Sequence, residues 1–316
     1  MRKILVLGTG GTIACVPSEN GLAPAVSAAE LVEGVGVPVD IQTEQMFELD
    51  STNMTPRHWE TLAKRIRERY DEFDAFIVLH GTDTMAYAAA SLSCLIQNSR
   101  KPVVFTGSMK PLRSKGSDAP ENLTDAVRFA ADERAFGVRV VFGGIVFDGR
   151  SVSKRASDLF APFDSMNLDA PEEIDAYTRE IVFNGKYSGE TRFYDRLSDN
   201  VFWSKLIPGQ ALTVPEGTGA VILEGYGLGG VPEYCVGEVE RLFQKGVYII
   251  IATQCRYGGT ELKRYEVGRT AAERFDLLET GKMAAEYAVA RARWALEYSN
   301  GFGEFKKLFR DPDFYQ

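Results

Sequence analysis

His80-Gly81-Thr82-Asp83-Thr84 places two hydroxyls, a carboxylate and a glycine within five residues. A threonine hydroxyl attacks a carbonyl carbon only if a neighbouring group accepts its proton. The chain has two histidines, His58 and His80, which argues against a Ser-His-Asp triad and a histidine-rich metal site. A lysine can accept the proton when desolvated, with an aspartate beside it to tune the balance. Lys154 is the candidate, in a polar turn at 148–155. Thr12 lies in a second turn, Gly8-Thr9-Gly10-Gly11-Thr12-Ile13-Ala14, and two more hydroxyl-bearing turns follow at Ser51 and Ser108. Threonine, lysine and aspartate make a coherent acyl-transfer set. N–H groups free at helix starts after Gly11 or Gly81 can hold an oxyanion. An aspartate not needed by the base can pair a substrate ammonium.

The same residues have plainer uses. Threonine and aspartate cap helices, and a lysine on a turn is often only solvated. One cap needs one such residue, however, and Thr82, Asp83 and Thr84 stand together. The glycine turn also invites a nucleotide reading. A P-loop needs a lysine before its hydroxyl, and GxGxxG needs glycine where Ile13 stands, so neither pattern is met.

Positioning these side chains requires strands that end in the turns. Lys3–Leu7, Ala75–Leu79 and Pro102–Thr106 are short apolar runs that read as buried strands. Each leads into a polar turn, and in an open α/β sheet ligands sit beyond the carboxyl ends of the strands. The spacing predicts helices at Ala28–Val35 behind Ser27, after Thr55-Pro56, over Met85–Gln97, and from an Asn122 cap to about Glu133. On the second of these, Trp59, Leu62, Ala63 and Ile66 form one apolar stripe, with His58 off it as a surface residue. Residues 16–28 read as a mobile loop, 138–147 as one long extended stretch broken by Gly143-Gly144, and 165–200 as polar and irregular. In the second half, 201–207, 220–223 and 247–252 read as strands, and 235–244, 283–298 and 302–309 as helices. The rhythm implies an α/β fold of two doubly wound domains with mainly parallel sheets. The expected division is a larger N-terminal domain over 1–185 carrying the motifs, a linker at 186–200, and a smaller C-terminal domain over 201–316.

The bulk properties set limits. A chain of 316 residues is long for one domain. Net charge is −8 and the pI about 5.1, which argues against a nucleic-acid surface. No apolar run approaches the roughly 20 residues that span a bilayer, and the opening strand runs into Gly8-Thr9-Gly10 rather than a cleavage site. Cys15, Cys94, Cys235 and Cys255 are widely spaced without CxxC and read as free thiols.

The two motifs, Gly8 to Ala14 and His80 to Ala86, resemble the signatures of the bacterial-type L-asparaginases, an amidohydrolase family related to glutaminases. Asp50-Ser51-Thr52-Asn53-Met54, Thr106-Gly107-Ser108-Met109, Ser153-Lys154, Gly225 to Gly229 and Thr253-Gln254 follow in the family's order. Thr52, where secreted members carry glutamine, and the glycines at 229–230 resemble the cytoplasmic type I branch. The resemblance implies that Thr12 is the nucleophile, forming a β-aspartyl ester from L-asparagine. It implies that Thr82, linked to Lys154, activates water or shares proton transfer. Asp83 would pair the α-ammonium and Ser51 the α-carboxylate, with Asp50, Thr52, Gly81 and Ser108 lining the substrate site. No metal or cofactor is implied, nor a nucleic-acid or membrane partner. A homodimer or homotetramer is implied, with sites at the subunit contact. There is one departure. The family has a tyrosine in the loop after the first motif, and here Leu22 stands near that place, with no tyrosine before Tyr70. Leucine neither donates nor accepts a proton. An amino-acid-binding protein without turnover and an ammonia-donating amidotransferase subunit are the alternatives on the same fold.

Overall fold

The computed structural model describes residues 1–19, 21–167, 172–174, 181 and 187–312. They form two units: Met1–Ser165 continuing to Asp195, and Arg196 onward together with Met166 and Asn167. The expected boundary at 185 lies outside the described residues. Within 186–200, Arg192–Phe193 is a strand paired antiparallel with Ile96–Gln97, and the change of unit falls after Asp195.

The first unit is built on β1 (Lys3–Gly10), β2 (Asp40–Leu49), β3 (Ala75–Leu79), β4 (Val103–Thr106), β5 (Val138–Phe142), β6 (Ile145–Asp148) and β7 (Glu172–Glu173). They lie side by side in the order β7-β6-β5-β4-β3-β1-β2. From β2 to β5 all pairs are parallel, and β6 and β7 extend the sheet antiparallel. Ile4, Val6, Ile77, Leu79 and Val104 share a core with Leu123, Ala126 and Val127. The alternate residues Leu5, Leu7, Phe76, Val78 and Phe105 point to the other face and are equally inaccessible. Burial on both faces explains why these strands read as continuous apolar runs.

The helices are α1 (Ala28–Val32), α2 (Pro56–Glu68), α3 (Met85–Leu95) and α4 (Ala119–Ala131). Ser27 and Glu30 form a reciprocal capping box on α1. Pro56 opens α2 behind Thr55, whose N–H and hydroxyl donate to His58 Nδ1, and Trp59, Leu62, Ala63 and Ile66 are its buried stripe.

Three local expectations need correction. Asn122 is not a cap: α4 begins at Ala119, because Pro120 in the first turn gives up only an N–H that has no helical acceptor. Residues 16–28 are not simply a loop: Cys15–Ser18 pairs antiparallel with Gly21–Pro24, and Pro17, opposite Leu22, is tolerated in so short a ribbon. Residues 138–147 are two strands, because Gly143 and Gly144 both take positive φ (61° and 76°) and fold β6 back on β5 as a two-residue hairpin.

The second unit has four parallel strands, β8 (Val201–Lys205), β9 (Ala220–Gly225), β10 (Tyr248–Thr253) and β11 (Leu278–Glu279), in chain order. Its helices are α5 (Glu233–Gln244), α6 (Glu266–Phe275), α7 (Ala285–Glu297) and α8 (Phe302–Phe309). Val221, Leu223, Ile249 and Ile251 pack with Val239 and Leu242 of α5 and Phe275 of α6. Both units are thus α/β with mainly parallel sheets.

Candidate active site

In the first sheet the chain steps from β1 to β2 on one side, then crosses to β3 on the other and continues outward. In such folds ligands bind beyond the strand ends at this reversal of order, here past β1 and β3. Thr12 follows β1, and Gly81, Thr82 and Asp83 follow β3.

The two turns touch through their glycines. A Cβ placed on Gly11 would lie 2.3 Å from Gly81 N, and one on Gly81 would lie 3.1 Å from Gly11 Cα. No side chain fits either position. Both sequence motifs therefore need a glycine there, and this contact sets the residues that follow them, Thr12 and Thr82, on adjoining turns. Other bonds fix the neighbouring turns. Thr9 Oγ1 donates to Leu79 O at 2.8 Å, tying β1 to β3, and Gly11 N donates to Leu49 O at 2.9 Å, tying the first turn to the end of β2. Thr84 Oγ1 donates to Ser51 O at 2.7 Å. Ser51 is buried, with Oγ so close over Gly81 that a Cβ there would sit 2.5 Å away. His80 N donates to Thr106 O at 2.9 Å, which sets the turn after β4 alongside.

Lys154 is the last residue of the short strand Val152–Lys154, paired with Phe163–Ser165. Its Nζ is 2.9 Å from Thr82 Oγ1 and 2.6 Å from Asp83 Oδ1. The lysine side chain is 17% exposed and the aspartate 56%, so the three-membered contact runs from a buried hydroxyl to a carboxylate open to solvent. The linked Thr82, Asp83 and Lys154 are thus in direct contact.

The other expected residues divide. Asp50 caps the single turn 51–53: its Oδ1 accepts from Thr52 N and Thr52 Oγ1, both at 2.8 Å. Thr52 is exposed. Ser108 is buried beyond β4, and its hydroxyl donates to Lys110 O. Cys15, beside the first turn, has its thiol pKa pushed up by burial and by the nearby Asp50 carboxylate, so it is held as a thiol and is no competing nucleophile.

Two residues were missed as site components. Asn122, one turn into α4, donates from Nδ2 to Gly107 O and Asp118 Oδ2, both at 3.0 Å, and accepts from Gly143 N at 2.9 Å. It clamps the turn after β4 to the β5–β6 hairpin. His80 is wholly buried, with Nδ1 2.7 Å from Gly81 O, and burial pulls its pKa down to about 4. Neither carries a sequence signal of its own: Asn122 stands between Glu121 and Leu123, and His80 between Leu79 and Gly81. Among the described residues no group of three or more His, Cys, Asp or Glu side chains is placed to hold a metal ion, and no helix is long and apolar enough to cross a membrane.

These features define an α/β protein whose candidate site lies at the switch point of its first sheet, between two threonine-bearing turns. The chain belongs to the asparaginase family. The family model described as "Asparaginase, N-terminal" matches residues 3–186, and "Glutaminase/Asparaginase C-terminal domain" matches 209–309. It is 36% identical over 320 residues to the L-asparaginase of Thermococcus kodakarensis, covering 97% of this chain and 96% of the relative. It is 31% identical to a glutamyl-tRNA(Gln) amidotransferase subunit of Pyrococcus abyssi, covering 98% of this chain and 75% of that one. The solved structure of the thermostable L-asparaginase from Thermococcus kodakarensis superposes with a TM-score of 0.89 at 34% identity, covering 99% and 98% of the two chains.

Proposed function

We propose that the protein hydrolyses the side-chain amide of L-asparagine to L-aspartate and ammonia through a threonine acyl-enzyme. The observation that carries this reading is the contact of Lys154 Nζ with both Thr82 Oγ1 and Asp83 Oδ1, beside the touching Gly11 and Gly81 turns. In this reading Thr12 Oγ1 attacks the amide carbon. The tetrahedral oxyanion is held by the N–H groups of Thr12 and Thr82, which follow the two touching glycines. As the C–N bond breaks, the proton leaving Thr12 ends on the departing nitrogen, and ammonia leaves. Water, held by Thr82 and Lys154, then attacks the β-aspartyl ester and regenerates the Thr12 hydroxyl. Asp83, with half its side chain open to solvent, pairs the substrate α-ammonium, and the buried Ser51 hydroxyl meets the α-carboxylate. Asp50 and Thr52 keep the Ser51 turn in shape, and Gly81 and Ser108 complete the wall.

Leu22, 59% exposed on its hairpin strand, brings no proton donor to this site. Thr82 and Lys154 therefore carry the proton transfers that a tyrosine would share. The same resemblance supports a cytoplasmic protein working as a homodimer or homotetramer, which subcellular fractionation and light scattering on the purified protein would test. Initial rates of ammonia release over a series of L-asparagine, L-glutamine and D-asparagine concentrations test the reaction. Turnover of L-asparagine above the other two is the expected outcome. Tight binding of L-asparagine by calorimetry without ammonia over hours would instead favour a binding protein. Ammonia released only in the presence of a transferase partner would favour the amidotransferase role.

A further inference from the structure

We propose that His80 is a positioning residue, whose Nδ1–H grips the Gly81 carbonyl and so fixes the Gly81–Thr82 peptide with the Thr82 N–H turned toward the reacting carbonyl. This deepens, and rests on, the reading of the site given above. His80 is 0% exposed, and its Nδ1 lies 2.7 Å from Gly81 O. A carbonyl can only accept, so Nδ1 carries the ring proton and Nε2 is a bare lone pair. Nε2 is buried and has no hydrogen-bond partner among the described residues, while the ring stands edge-on to Phe105 at 5.8 Å between centroids.

Packing alone does not explain this choice of residue. A leucine or phenylalanine would fill the space without burying an unsatisfied nitrogen. What the imidazole supplies is the bond to Gly81. Residue 81 must be glycine, because Ser51 Oγ and Gly11 crowd it, and a glycine restrains the peptide that follows it less than any other residue does. That peptide is trans and planar, with C=O and N–H on opposite sides. Holding the carbonyl on the buried His80 side therefore turns the Thr82 N–H away from it. The histidine backbone is itself anchored, with His80 N on Thr106 O and Gly107 packed so closely that a Cβ there would lie 2.3 Å from His80 O.

Two variants separate this role from simple packing. In His80→Asn the side-chain amide nitrogen takes the place of Nδ1 and can still donate to Gly81 O. In His80→Gln it takes the place of Nε2 and cannot. His80→Gln is expected to lower kcat by about 100-fold, the scale of losing one oxyanion donor. His80→Asn is expected to stay within about 5-fold of wild type despite its larger cavity, with KM for L-asparagine little changed in both. Equal losses in the two variants, a loss confined to KM, or no loss in His80→Gln would overturn the proposal. The Thr82 amide resonance of protein labelled with [15N]threonine gives a readout that needs no turnover. It is expected to move in His80→Gln and hold in His80→Asn, and no movement in either variant overturns the proposal. A wild-type chain that released no ammonia would remove the reading of the reaction, while the amide resonance would still decide the role of His80.

Discussion

At the scale of residues, the proposed site divides its work between atoms that react and atoms that hold. Lys154 Nζ is bonded at once to Thr82 and Asp83, so replacing it disturbs proton transfer more than substrate binding. Lys154→Met is expected to lower kcat by about 100- to 10,000-fold, the range for loss of a general acid–base group. A melting temperature close to wild type would show that the loss is chemical. Asp83 has the opposite expectation. Its exposed carboxylate is the proposed partner of the α-ammonium, so Asp83→Asn should raise KM about 10-fold or more, each tenfold being about 1.4 kcal/mol. Steady-state kinetics on L-asparagine separate the two, and an Asp83→Asn effect confined to kcat would reassign that carboxylate to the chemistry. His80 and Asn122 belong to the holding group, and neither was legible from its type alone. A histidine at a strand end, and an asparagine that also suits a helix cap, reveal their role only once their partners across the fold are known.

At the scale of elements, what was legible followed from periodicity and what was not came from pairing. The buried strands announced themselves because both faces are covered, and α2 because its stripe, cap and proline agree. The Cys15–Ser18 and Gly21–Pro24 hairpin was hidden by loop-like composition, since only a partner strand makes Pro17 and Leu22 extended. The β5–β6 hairpin was hidden because a Gly-Gly pair interrupts one apolar run without showing that the chain reverses. The start of α4 was missed by a few residues because Asn122 looks like a cap while its side chain reaches Gly107 and Gly143 instead. Asn122→Ala would leave buried partners unsatisfied, with an expected loss of about 2–3 kcal/mol, readable from the urea midpoint. The contact of the two turns has a sharper consequence. In Gly11→Ala the new methyl would meet backbone rather than a movable side chain, at a residue with φ of 76°. Such strain costs about 1–3 kcal/mol, and because it separates Thr12 from Thr82, ammonia release should fall far more than stability.

At the scale of the whole molecule, buried titratable groups set how the fold responds to acid. His80 is held neutral in the fold, its pKa lowered by burial from 6.5 to about 4. The unfolded chain takes up a proton that the folded chain refuses, so this stability is complete above about pH 6.5 and is lost as pH falls toward 4. The loss amounts to about 3 kcal/mol. Asp148 acts in a lower window. Burial alone would raise its pKa, but Arg139 and Arg150 hold it down to about 2 from 3.8, so its contribution is present above about pH 3.8 and fails only as pH drops through about 2. Unfolding free energies from urea titrations at pH 7 and pH 4.5 should therefore differ by about 2–3 kcal/mol in wild type from this group, and the difference should shrink in His80→Gln. The candidate site draws on four neighbouring strands of the first sheet. β1, β2, β3 and β4 deliver one polar turn each to the same end, and the reversal of strand order makes room between them. The central claim is that Thr12 is the nucleophile at that point. Its most direct test is ammonia release from L-asparagine by Thr12→Ala, with circular dichroism to show that the fold is kept. A drop in kcat of at least about 1,000-fold in a folded protein is predicted, and turnover near the wild-type rate would contradict the account.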